Sequence, residues 1–200
     1  PGLIKKKSII SAAVLILISC GNNDVKTVIK AFSGSIQING STIPGVGQIQ
    51  IKHGDIIETA GNSFCDIMID DKKVIRVREN SRMTLNLSSG ESSLKIDRGL
   101  VTVVTKEKYS AEGRYRITTP AVSASITGRS FCIKVENEKS TYICLCSGKI
   151  NFTGEYITSD SHKSWKFTRA EDGSIINVPD PGMLYHNDFG IEQLARIIKE

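Results

Sequence analysis

Beyond residue 20, this chain of 200 residues has no apolar run long enough to cross a bilayer as a helix, which takes about 20 residues. Any membrane contact of the body must therefore come from something other than a spanning helix. Nor is there a run of Lys and Arg interleaved with aromatics, and the formal charge of +5 falls to about +2 once Lys5, Lys6 and Lys7 leave with the N-terminal segment. So small and dispersed a balance argues against nucleic acid as a partner. The sequence contains no Gly-rich phosphate cradle, no His-x-x-x-His pair and no Gly-x-Ser-x-Gly elbow. Its three histidines, His53, His162 and His186, lie far apart in expected turns, so no nucleophile and base can be paired from them. Asp70-Asp71 and Glu171-Asp172 sit beside turns and read as solvated hairpin tips rather than acid–base pairs. The expectation is a protein that is not an enzyme and needs no cofactor.

What is present begins with an export segment. A basic cluster, Lys5-Lys6-Lys7, precedes an apolar run from Ile9 to Ile18 that is too short to span a membrane. It closes on Leu17-Ile18-Ser19-Cys20, a Leu-x-small triplet before cysteine, which resembles the lipobox of bacterial lipoproteins. That resemblance implies lipidation at Cys20, cleavage before it, and a chain anchored to the cell envelope through its acyl groups. Several chains on one cysteine would meet the need for more than a single acyl group in stable attachment. The expected location is lipid-anchored, facing the periplasm or the cell surface. Gly21, rather than aspartate, follows the cysteine and gives no signal for inner-membrane retention.

From Ile36 to Phe167 the chain alternates apolar and polar residues with period two, the strand signal. Gly, Asn, Asp and Ser punctuate these segments at the spacing of a sandwich or roll. The expected fold is all-β, an antiparallel β-sandwich or β-roll of about ten to twelve short strands with one C-terminal helix. Asn187-Asp188 would cap that helix, and Ile191, Leu194, Ala195 and Ile198 would share one face for packing on the sheet. The implied organisation is a signal peptide at 1–19, a lipidated cysteine and tether at 20–33, a β-domain at 34–153 and an extension at 154–200. Ser63-Phe64-Cys65 and Ser130-Phe131-Cys132 each open a strand, a charged turn and a return strand, a weak internal echo.

Four cysteines remain beyond Cys20: Cys65, Cys132, Cys144 and Cys146. Cys144 and Cys146 are two apart on one strand and face the same way. A turn centred on Glu138 and Lys139 would set Cys132 opposite one of them. Three readings stay open: buried small residues, one or two disulfides, or a metal site of four thiolates. Against the last, neighbours at i and i+2 on a flat strand rarely converge on one ion.

Several segments, taken in order, resemble the FecR domain, a bacterial periplasmic β-domain. They are Gly54-Asp55 before Ile56–Thr59, the hairpin from Phe64 to Leu85, and Arg98-Gly99-Leu100-Val101. Thr119-Pro120-Ala121, Thr127-Gly128-Arg129-Ser130-Phe131 and Ser147-Gly148-Lys149 complete the set, which covers about residues 34–153. The resemblance assigns Gly54, Asp55, Thr119, Pro120, Gly128, Phe131 and Gly148 to structural motif positions. Two features depart from it: the arginine stands after Gly128 instead of before it, and cysteines occupy positions usually small or apolar. On the residues alone, Gly128 within an alternating strand suggests a bulge or a close backbone approach, and Pro120 halts ladder pairing.

Typical members of that family relay a signal from an outer-membrane iron transporter to a cytoplasmic sigma factor, using a transmembrane helix. The apolar run of this sequence is spent on export, so the whole relay is not expected of it. The expected role is a non-enzymatic envelope module that binds or scaffolds a protein partner through strand edges or loops. The alternative is a periplasmic domain that senses a ligand or metal through its cysteines.

Overall fold

The computed structural model describes residues 25–45, 48–88, 91–106, 114–152, 156–159 and 162–199. The expected signal peptide and the lipidation residue Cys20 lie outside the described residues. Fifteen strands and one helix are formed among the described ones. The strands are β1 (Thr27–Ser33), β2 (Ile36–Ile38), β3 (Ser41–Thr42), β4 (Ile49–Gln50), β5 (Asp55–Thr59), β6 (Phe64–Ile69), β7 (Lys73–Val77) and β8 (Arg82–Ser88). There follow β9 (Glu91–Thr105), β10 (Arg114–Thr118), β11 (Ser123–Asn137), β12 (Ser140–Asn151), β13 (Tyr156–Ser159), β14 (Lys163–Arg169) and β15 (Ile175–Pro179). The helix α1 spans Asp188–Lys199. No helix among the described residues is long and apolar enough to cross a membrane.

The all-β class with a C-terminal helix is the one the sequence indicates, but the strands are more numerous and three are long. They hydrogen-bond into one continuous sheet whose main path runs β15-β14-β12-β11-β10-β9-β7-β6-β1-β4, with β8, β5, β2 and β3 branching from β9. Its pairings are antiparallel except for β9 with β10, which run the same way. The long strands change partners midway. The first half of β9 pairs with β8 and β10, and the half beyond Gly99 pairs with β7 and β11. Each such strand serves both layers, so one sheet folds over one core. Thr27–Ser33 corrects the expected tether: it is strand β1, hydrogen-bonded to β4 and β6, with Thr27 and Ile29 buried. Alternation is weak there, which hid the strand.

The main core gathers Ile57, Ile67, Ile75, Met83, Leu85, Val101, Val103, Phe131, Ile133, Ile143 and their neighbours inside the fold. The outer face of the same strands is covered as well. Leu194 and Ile198 of α1 pack on Met68, Val74 and Val104, with Ile191 and Ala195 beside them. This is the face the helical spacing indicates. Burying Leu194 and Ile198 stabilises the docked helix by about 1.5–3 kcal/mol each. Asn187 caps α1, its Oδ1 accepting from the Gly190 N–H at 2.9 Å. Burial on both faces explains why β6 and the Tyr142–Cys146 stretch of β12 read as near-continuous apolar runs.

Candidate functional site

Register separates the four cysteines. Across the sheet, Cys65 stands in a row with Val77, Val101, Ile133 and Ile143. Cys132 stands in the next row, with Asp66, Arg76, Thr102 and Cys144. One residue along a strand reverses the face. Cys65 therefore points into the main core, where burial pushes its thiol up to about 12 with Asp66 adding to the shift. Cys132, Cys144 and Cys146 share the outer face, so a site of all four thiols does not form. All four are free thiols.

Two side chains not assigned to the cysteines by the sequence join them there. The Cys132 Sγ lies 3.0 Å from His186 Nδ1, and the Cys146 Sγ lies 3.2 Å from His186 Nε2. The Cys144 Sγ lies 3.8 Å from His162 Nδ1, whose other nitrogen is 2.6 Å from Asp188 Oδ1. One potential ligand atom from each of Cys144, Cys146, His162 and His186 falls within 4.8 Å of the other three. His162 immediately precedes β14 and His186 lies between β15 and α1. Nothing in their spacing ties them to the cysteines, because only the return of β14 beside β12 and the docking of the chain after β15 bring them in.

That docking is built from aromatic contacts. Tyr142 of β12 donates its hydroxyl hydrogen to the Gly182 carbonyl at 2.7 Å and accepts from the Leu184 N–H at 3.3 Å. Its ring meets Tyr185 edge-on with centroids 5.1 Å apart, and the Tyr185 hydroxyl bonds Glu136. His186 follows directly and is aimed at the sulfurs.

The convergence of Cys144 and Cys146 has a local cause. Ser130 pairs with Ser147 and Phe131 with Leu145, which leaves Cys146 as an extra residue on β12. Gly128 pairs with Gly148 and Ser130 with Ser147, leaving Arg129 extra on β11. These are two compensating bulges, which twist a strand locally and re-aim a side chain. The flat-strand objection to a shared site therefore does not hold for this pair.

Thiol acidities diverge within the cluster. Cys144 is held far below the ordinary thiol range, first by hydrogen bonds from Cys132 and Cys146 and further by His186 and His162. Cys132 is pushed up mainly by burial, and Cys146 by its bond to Cys144 and then by burial. Burial opposes charge on His162, yet its bonds to Cys144 and Asp188 raise its pKa above the ordinary value. The shifts favour loss of a proton from Cys144 over Cys132 and Cys146, in the direction of the thiolate that binds metals or attacks electrophiles.

The remaining motif positions hold the fold. Gly54 turns the chain with φ +85°, and Asp55 accepts from the Lys52 N–H at 2.7 Å and from Asn39 Nδ2 at 2.8 Å. His53 faces the Leu87 backbone, away from the cluster. Thr119 closes the turn over Pro120 by bonding both the N–H and the carbonyl of Val122. Phe131 packs edge-on against Tyr115, centroids 5.0 Å apart, in the main core. Gly128 and Gly148 meet backbone to backbone: a Cβ on Gly128 would sit 2.4 Å from the Ser147 carbonyl oxygen. This is the close approach that the isolated glycine indicates.

The protein is a folded-over β-sheet with structural glycines and a Thr-Pro turn, and the family model described as FecR protein matches residues 55–151. The chain carries a FecR domain. No curated protein matches it. Two crystal structures of a candidate anti-sigma factor from Parabacteroides distasonis are similar, with TM-scores of 0.48 and 0.47 and 11% sequence identity. The similarity covers 62% of this chain and 59% of that protein, so it spans about three fifths of that protein's length.

Proposed function

We propose that the protein is a non-enzymatic, lipid-anchored module of the cell envelope that serves signalling by binding a protein partner as an added strand on β15. The observation that carries this reading is the outer edge of β15, which among the described residues pairs with β14 alone. Asp180 N–H bonds the Ser164 carbonyl, and Ala170 N–H bonds the Ser174 carbonyl. In an antiparallel ladder bonded pairs alternate, so even-numbered residues of β15 face β14 and the backbone groups of Ile175 and Asn177 face outward. Ile175, Ile176 and Val178 are 46%, 55% and 49% exposed. An uncovered edge with apolar side chains is a template for pairing with another chain. The FecR domain supports a regulatory role, and the Leu17–Cys20 motif supports attachment at Cys20.

Asn177→Pro tests the edge, because it deletes an outward N–H and leaves the even-numbered ladder to β14 in place. A photo-crosslinker at Ile176 in the native envelope should trap one protein, and Asn177→Pro should abolish that product without changing the melting temperature. Trapping that survives Asn177→Pro would refute strand addition. Separately, Cys20→Ala should move the folded protein from the membrane to the soluble fraction; a wild-type protein already soluble would refute the anchor.

A further inference from the structure

We infer that Cys144, Cys146, His162 and His186 bind one zinc ion in a tetrahedral two-sulfur, two-nitrogen site. The inference stands on the cluster alone and is independent of what binds β15.

The donor set is the first reason. Two thiolates and two imidazoles suit zinc in tetrahedral geometry, and two thiolate charges neutralise the ion at a site where a net charge would be costly. Cys144 and Cys146 are buried, and the two histidines are half-buried at the mouth. A closed structural site of four protein ligands is the form this arrangement fits.

Geometry is the second. Zn–S bonds of about 2.3 Å and Zn–N bonds of about 2.0–2.1 Å put tetrahedral ligand atoms roughly 3.3–3.8 Å apart. Here His186 Nε2 is 3.2 Å from one sulfur and His162 Nδ1 is 3.8 Å from the other, with the whole set inside 4.8 Å. Closing on an ion takes side-chain shifts of about an ångström. The bulge at Cys146 re-aims that side chain on the face it shares with Cys144.

The outer contacts are the third. Ligand histidines in metal sites usually donate their second N–H to a fixed acceptor, which sets the tautomer and ring orientation. Both histidines meet that pattern. With Nδ1 of His162 on the ion, Nε2–H points at Asp188 Oδ1, 2.6 Å away. With Nε2 of His186 on the ion, Nδ1–H points at the Cys132 sulfur, 3.0 Å away. Cys132 is thus an outer partner rather than a fifth ligand. A cluster assembled only to fill space would not orient both rings in this way.

Binding exchanges the two thiol protons and any imidazole proton for the ion, with release of protons to water and no change of oxidation state. The test uses the full chain, reduced and metal-free, titrated with zinc against a chromophoric chelator and then examined by X-ray absorption. One zinc per chain is expected, with two sulfurs at about 2.3 Å and two nitrogens at about 2.0 Å. Asp188→Asn, on a side chain 75% exposed and so harmless to packing, should weaken binding roughly 10–100-fold, and Cys132→Ala by a similar factor. Cys146→Ser and His162→Gln should weaken it more than either, while Cys65→Ala leaves it unchanged. A folded, reduced chain that takes up no zinc would overturn the inference. So would a first shell of three sulfurs, unchanged affinity in Asp188→Asn, or envelope-purified protein holding a Cys132–Cys144 disulfide and no metal.

Discussion

Replacing Gly148 by alanine should destabilise the protein far more than the same change at Gly54, although both glycines have positive φ. Gly54 lies at φ +85° in an open turn, where an added Cβ meets nothing within 4 Å. Its replacement costs only the backbone strain of a left-handed residue, about 1–2 kcal/mol. Gly148 lies at φ +137°, and its added Cβ would stand 2.5 Å from the Thr127 carbonyl oxygen and 2.6 Å from the Gly128 Cα. Both neighbours are backbone atoms of β11 at the crossing of two bulges, so neither yields without disturbing the β11–β12 ladder. Strain of about 1–3 kcal/mol and overpacking of about 1–3 kcal/mol add to roughly 4 kcal/mol. In a chain of this size each kcal/mol lowers the melting temperature by about 2–4 °C, so Gly148→Ala should melt roughly 12 °C lower and Gly54→Ala roughly 4 °C lower. Thermal melts followed by circular dichroism separate the two. Melting temperatures of the two variants within about 3 °C of one another would refute the close-approach reading, because crowding is the larger difference between the positions.

Asp66 is 1% exposed and held by two 2.6 Å bonds from Arg76, so Arg76→Ala should cost about 3–5 kcal/mol in urea unfolding by stranding a buried carboxylate. The pair replacement Asp66→Leu with Arg76→Met should recover most of that loss, and failure to recover would point to packing rather than charge. The Glu58 carboxyl is held below its usual 4.5, first by the hydrogen bond from Arg82, against a burial contribution, and then by Arg98. A lowered folded pKa means that this contribution is present above pH 4.5 and is lost as the pH falls below it, toward the folded value. Urea midpoints should therefore decline through that acid range less steeply in Glu58→Gln than in the wild type, and parallel declines would dismiss the linkage. Free zinc at about 1,000 times its dissociation constant should stabilise the reduced chain by about 4.1 kcal/mol, read as a rise in melting temperature that Cys146→Ser abolishes. An equal rise in both proteins would place the metal elsewhere.

The class of fold and the end of the chain were legible because period-two alternation and an apolar helical stripe are local signals. Phe64–Ile69, Val74–Val77 and the face of Leu194 and Ile198 follow from them directly. The strands that escaped have reasons of their own. Ile175–Pro179 is exposed along its whole length, so no buried face imposes alternation on it. Ser123–Gly128, rich in small residues, extends β11 through contacts with β10 that no sequence spacing encodes. The i, i+2 spacing of Cys144 and Cys146 was visible, but their convergence was not, since a bulge is a mismatch between two strands and belongs to neither alone. The histidines were hidden for the same kind of reason. His162 and His186 acquire meaning only after β14 pairs with β12 and Tyr142 captures the chain after β15.

That placement joins the cluster to the exposed edge. His162 enters the β14–β15 hairpin and His186 leaves it, so both imidazoles stand at the stem of the element that ends in the free strand. Cys144 and Cys146 belong to β12, the strand against which β14 lies. Whatever draws the two imidazoles onto the two sulfurs also draws both ends of the hairpin onto β12. At the tip, the Asp172 carboxylate accepts from the Ser174 N–H and hydroxyl at 2.9 and 2.6 Å, and the Arg169 guanidinium donates to the Pro120 and Ala121 carbonyls at 3.2 and 3.4 Å. An edge strand recognises a partner through the fixed spacing of its backbone groups, and that spacing is only as constant as the stem that holds it. The chemistry of the cluster and the geometry of the edge therefore act on one hairpin, from its base and from its outer side.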